Sequence, residues 1–157
     1  MTHQRWLALR SIGGVAALAC ALLSSGRTFA QDAERGKRLF HGELPLSGKI
    51  VGHANALPPQ ASRCANCHLP APSAAQGTNT TTPNASAAAY GPVLNAASLT
   101  RESRRRGGPP SRYDEAAFCK LLTTGIDPAY IVTPSTMPRY ALDASDCRAL
   151  WLHLTAQ

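Results

Sequence analysis

The chain has 157 residues, sixteen lysines and arginines against nine aspartates and glutamates, and a formal net charge of +7 at pH 7. That length speaks for one domain and against several. The basic excess suits acidic partners and is too modest to argue for nucleic acid, from which export would in any case remove the chain.

The first thirty residues read as a secretory signal peptide. Arg5 and Arg10 make a basic start, SIGGVAALACALL (11–23) an uncharged apolar run, and SSGRTFA a small-residue end. Thr28 and Ala30 stand where small residues precede a cleavage site. Cleavage is therefore expected after Ala30, leaving a signal peptide, 1–30, and a mature domain, 31–157, in the periplasm. The apolar run of thirteen residues falls short of the roughly twenty that cross a bilayer, so no membrane span is expected in the mature form. Cys20 lies in that run and is a candidate for lipidation, although the residues around it suit an ordinary signal better. Without Arg5, Arg10 and Arg27 the mature chain keeps thirteen basic residues and nine acids, about +4.

DAERGKRLFHGE (32–43) reads as a short helix capped by Asp32, with Ala33, Gly36, Leu39 and Phe40 on one face. From 44 to 110 the chain is rich in Pro, Gly, Ser, Thr and Asn, which argues against regular structure. So long a loop in a small domain is functional or wraps something. Its low-complexity stretch 69–89 reads as a surface insertion or a partner-binding element. SRYDEAAFCKLLTTG (111–125) is a better-marked helix. Ser111 and Asp114 have capping-box spacing, Tyr113, Ala117, Phe118, Leu121 and Leu122 form a stripe, and Gly125 stops it. DASDCRALWLHLTAQ (143–157) is another, with Asp143 and Asp146 at its start and Cys147, Leu150, Trp151 and Leu154 at helical spacing. No strand pattern of any length is legible. The fold class expected is all-α, short helices and long loops that need a cross-link or a non-polypeptide filler.

Cys64-Ala-Asn-Cys67-His68 admits three readings. A structural zinc site wants four ligands, normally as two pairs. The second pair is missing, because Cys119 and Cys147 lie twenty-eight residues apart on separate helices. A dithiol redox centre wants a strand–helix–strand setting that is not legible here. Covalent haem accounts for more. Two thiols at this spacing can each bond one vinyl group of a porphyrin, and the adjacent imidazole falls under the iron. Export suits attachment in the periplasm, and haem would supply the missing core. The mature chain holds one methionine, Met137 in TPSTMPRY (133–140), between Pro134 and Pro138. A core-filling role is the plain alternative, but a proline-flanked loop presents a thioether rigidly, and His/Met is a standard axial pair. His41, His53 and His153 are the competing donors.

Taken together, AERGKRLF, CANCH, YGPVL (90–94), TMPRY and DCRALWLHL resemble the class I monohaem c-type cytochromes, over nearly all of 32–155. The resemblance implies a small all-α cytochrome c fold around one haem c, bound through Cys64 and Cys67 with His68 and Met137 as axial ligands. It also implies that the Pro92 carbonyl accepts a hydrogen bond from His68, and that Gly36 and Phe40 pack on the last helix. His153 departs from the family, which often has a tyrosine or tryptophan there, and so does the long loop from Leu69 to Ala89. Two cysteines remain, Cys119 and Cys147; an even remainder in an oxidising compartment suggests a disulfide, two free buried thiols being the alternative.

The function so implied is not enzymatic. It is periplasmic electron transfer by a monomer that meets redox protein partners transiently. RESRRRGGPPSR (101–112) is then a docking patch, a solvated loop, or a neighbour of the haem propionates. An electron-transfer subunit of a periplasmic dehydrogenase or sulfur-oxidising complex would use the same haem. A gas- or peroxide-binding haem would need Met137 to leave the iron and a polar distal group, for which Arg139 and Tyr140 are the nearest in sequence.

Overall fold

A computed structural model describes residues 29–68 and 91–157. The expected signal sequence up to residue 28, Cys20, the 69–89 loop and Tyr90 lie outside the described residues. The chain divides into two units, Met1–Gln31 and Asp32–Gln157, a boundary one residue beyond the expected cleavage point.

The first helix, α1, covers residues 29–41. It starts before Asp32, so Asp32 is no cap; its carboxylate instead lies 4.0 Å from the Arg148 guanidinium. The helix stops two residues short of the expectation, at a closing motif. Gly42 takes φ 75°, its N–H bonds the Leu39 carbonyl at 3.1 Å, and the Glu43 N–H bonds the Arg38 carbonyl at 2.8 Å, which together satisfy carbonyls the helix leaves unpaired.

The all-α expectation is corrected by two small antiparallel sheets. β1, Ser47–Lys49, pairs with β4, Arg139–Ala141, with Gly48 opposite Tyr140. β2, Ser103–Arg104, pairs with β3, Pro110–Ser111. Strands of two or three residues are too short to show alternation, which needs four or more positions to read. Their partners are chosen by tertiary packing, ninety-two residues away in sequence for Gly48 and Tyr140.

The region expected to be irregular also holds a short helix, α2 (Ala96–Thr100), started by a reciprocal box between Asn95 and Ser98. The two strongly patterned helices are present. α3 (Glu115–Thr124) is capped by Asp114, whose carboxylate accepts from the Ala117 N–H at 2.7 Å, and closes at Gly125. Ser111 does not share in that cap because it belongs to β3. α4 (Ala144–Thr155) is capped by Asp143, which accepts from the Asp146 N–H at 2.7 Å.

Packing follows from these faces. Leu39, Phe40, Leu99, Phe118, Leu121, Leu150 and Leu154 form one buried cluster. α1 meets α4 with Gly36 directly over Ala149, and a Cβ at residue 36 would run into the Ala149 carbonyl. The Arg35 guanidinium donates to Asp146 at 2.7 Å across the same contact. Cys119 of α3 and Cys147 of α4 are bridged, their Cα atoms 5.8 Å apart. Among the described residues no helix is long and apolar enough to cross a membrane.

Candidate functional site

Cys64–Asn66 wind into a 3-10 turn. The Cys67 N–H bonds the Cys64 carbonyl at 3.1 Å and the His68 N–H bonds it at 2.9 Å. So tight a turn brings the two sulfurs and the imidazole to one side. All three line a cavity of about 940 Å³ whose walls are largely apolar, among them Phe40, Leu99, Tyr113, Phe118, Leu121 and Leu150. Pro92 and Met137 line the same cavity. The five residues marked out in the sequence, from three separate segments, therefore meet at one place. His41, His53 and His153 do not line it. His41 and His153 instead face each other at a ring separation of 6.4 Å, with His153 also against Phe40.

His68 is held from behind. Its Nδ1 lies 2.8 Å from the Pro92 carbonyl oxygen. A carbonyl can only accept, so Nδ1 carries the proton and Nε2 keeps a free lone pair. Burial holds the imidazole below the ordinary histidine range, and the Pro92 bond opposes that shift. The ring is thus neutral at neutral pH, the state in which it can bind a metal. Gly91 leaves room for it: a Cβ there would sit inside contact distance of three ring atoms, and its N–H bonds the Cys67 carbonyl at 3.1 Å.

Met137 is fixed by its neighbours. Its N–H bonds the Pro134 carbonyl at 3.1 Å. The Arg139 guanidinium donates to the carbonyls of Met137, at 2.7 Å, and Thr133, at 3.2 Å. Three residues after Met137, Tyr140 is buried and donates its hydroxyl proton to the Ser62 carbonyl at 3.0 Å. Ser62, buried as well, donates from Oγ to the Leu46 carbonyl at 2.8 Å. β4 and the cysteine motif are thereby tied together two residues from Cys64. Ser62 had no signal in the sequence beyond adjacency to the cysteine motif, and Tyr140, though it ends TMPRY, had none for this bond, because a lone serine or tyrosine carries no period.

Burial pushes the Cys64 thiol up to about 11. A redox dithiol needs the reverse, a thiolate stabilised near neutral pH. Among the described residues no group of three or more His, Cys, Asp or Glu is placed to hold a metal ion, which leaves a zinc site without its ligand set. On the far wall, Arg105 reaches inward. It donates to the carbonyls of Ser111 and, at 2.8 Å, Ser98, and its guanidinium lies 4.8 Å above the Tyr113 ring. Arg105 and Arg106 both line the cavity.

No protein-family model, curated protein or solved structure matches the chain.

Proposed function

We propose that the chain is a periplasmic electron-transfer protein, not an enzyme, in which Cys64, Cys67, His68 and Met137 would hold one haem c. The observation that carries this reading is the convergence of two thiols, a neutral imidazole and a thioether on one apolar cavity of about 940 Å³. That volume lies at the upper end of the roughly 300–1,000 Å³ of ligand and cofactor pockets. When bound, haem c supplies the reversible one-electron couple of its iron.

Everything else is the work of the chain's own groups. Cys64 and Cys67 would hold the group through their sulfurs, each thiol supplying the sulfur and the hydrogen that saturate one vinyl group, so that no oxidant is needed. His68 offers Nε2 because Pro92 holds the proton on Nδ1. Met137 offers a soft, neutral sulfur from a loop pinned by Arg139, and such a donor favours the reduced state. The largely apolar walls offer water few hydrogen-bond partners. The resemblance of the motifs to class I monohaem c-type cytochromes supports the reading, as does the signal-like N-terminus. The gas- or peroxide-binding alternative has less support. The polar ends of Arg139 and Tyr140 are already engaged with the carbonyls of Met137, Thr133 and Ser62.

The test is the absorption spectrum of the exported protein in ferric and ferrous forms, the latter with carbon monoxide. A low-spin c-type spectrum, a far-red methionine–iron band and indifference to carbon monoxide are expected. A high-spin spectrum with prompt carbon monoxide binding would move the protein to the ligand-binding class. No haem at all would end the reading.

A further inference from the structure

Two non-glycine residues among those described have positive φ, Arg106 at 47° and Tyr130 at 62°. Such backbone is costly for an arginine or an aromatic residue and persists where the surroundings enforce it. At Arg106 the hairpin turn enforces it, closed by the Gly108 N–H on the Arg105 carbonyl at 2.8 Å; at Tyr130 a buried carboxylate does. Asp127 is 3% exposed, and its Oδ1 accepts from the N–H groups of Ala129 and Ile131, each at 2.9 Å. Its Oδ2 is buried without a hydrogen bond and faces the Arg106 guanidinium at 3.5 Å. The Asp127 N–H also bonds the Ile131 carbonyl, the Tyr130 N–H bonds the Asp127 carbonyl, and Ile126 bridges to Val132. The 126–132 loop is therefore a closed, internally bonded turn built on a buried carboxylate.

What this turn presents is exposed. Tyr130 is 80% accessible and Val132 66%, with Lys120 Nζ 5.1 Å from the Tyr130 ring centre. The turn packs on the tip of the β2–β3 hairpin, where Gly108 lies against Ile131 and Ala129. That hairpin displays Arg101, Arg104 and Arg112, all exposed, against a single acid, Glu102. Its inner side, at Ser103, Arg105 and Arg106, is a wall of the haem cavity. An exposed tyrosine on a closed turn that packs against an arginine-bearing hairpin is the composition of an interface anchor, and the charge selects the sign of what it meets.

We propose that the β2–β3 hairpin and the 126–132 turn form a docking surface for an acidic protein, whose apolar pocket takes the Tyr130 ring. That the partner is a redox protein rests on the electron-carrier reading; the surface itself does not. Docking here would bring the partner to the edge of the cavity, and Asp127 keeps the surface pre-organised so that little order is lost on binding.

The experiment uses the exported protein, labelled with nitrogen-15, and as probe a synthetic amphipathic peptide of glutamate and leucine. Amide shifts are expected at residues 104–108, 127 and 129–132, with affinity falling as salt rises. Arg101→Ala/Arg104→Ala/Arg112→Ala should weaken binding at least tenfold and flatten the salt dependence. Tyr130→Ala should weaken it by about tenfold with the salt dependence unchanged. Lys37→Ala/Arg38→Ala/Lys49→Ala, which removes the same charge elsewhere, should leave it intact. Shifts at other residues, equal losses in both triple variants, or stronger binding to anionic lipid vesicles than to the peptide would overturn the proposal. Haem is read in the same samples by absorption. Binding without haem would sink the carrier reading alone, and haem without binding the docking surface alone.

Discussion

Met137 and Gly36 show what single atoms decide here. Among the described residues Met137 is the one thioether in the cavity wall, held by a loop that does not depend on its side chain. Met137→Ala is therefore expected to keep covalent haem while opening the sixth position, seen as loss of the far-red ferric band and gain of carbon monoxide binding. An unchanged ferric spectrum would show that another group is the ligand. Gly36 is a matter of space, because the Ala149 carbonyl occupies the place a Cβ would take. Alanine gains about 1 kcal/mol in helix propensity, but crowding a fixed backbone typically costs about 1–3 kcal/mol, and a backbone carbonyl yields less than a side chain. Gly36→Ala is expected to lower stability by about 1–2 kcal/mol, read as a lower urea midpoint at unchanged slope. The methionine was legible from its proline-flanked loop, and the resemblance pointed to the glycine's close approach. Gly91, Ser62 and Tyr140 were not legible in their roles, since each acts on a neighbour that only folding supplies.

At the scale of elements, α3 and α4 are each capped by an aspartate and joined by a disulfide. The Asp143 carboxyl is held below its ordinary range, first by the Asp146 N–H and then by the Ser145 hydroxyl. A folded value below the unfolded one means that the stabilisation is full above the ordinary carboxylate range. It is lost as pH falls through the depressed folded value. Asp143→Asn keeps the cap oxygen without titrating. On acidification through that range, wild type should lose more thermal stability than this variant; parallel loss would show that the cap contributes nothing to acid sensitivity. The Cys119–Cys147 bridge closes a separation of 28 residues, worth up to about 3.5 kcal/mol on the chain-entropy account. Cys119→Ser/Cys147→Ser is expected to lose stability by up to that amount while retaining the haem spectrum, because neither cysteine lines the large cavity. Loss of haem together with the bridge would assign the pair a second role. The two long patterned helices could be read from caps and periodicity. The strands could not, because their two or three residues carry no pattern.

For the whole molecule, the cavity is a structural matter as much as a functional one. The buried leucines and aromatics of α1, α2, α3 and α4 wall it on several sides, and apolar surface left to water costs roughly 25 cal/mol per Å². Cys64→Ala/Cys67→Ala, produced by the same export route, is thus expected to lose covalent haem, cooperative thermal unfolding and near-ultraviolet circular dichroism. A cooperative transition like that of the parent would show that the chain folds without a filler. The sequence by itself determined the chemistry on offer: the thiol pair with its adjacent histidine, the single mature methionine, the signal-like start, and the two well-marked helices. Those are carried by residue identity and short spacing, which survive in a one-dimensional string. Only the tertiary structure decided that these groups share one cavity, that the sheet of β1 and β4 clamps the methionine loop to the cysteine motif, and that Asp127 closes the turn bearing Tyr130 against the β2–β3 hairpin. Each of these joins residues far apart in sequence through packing and directional hydrogen bonds, whose partners are chosen by the closed chain and not by local preference.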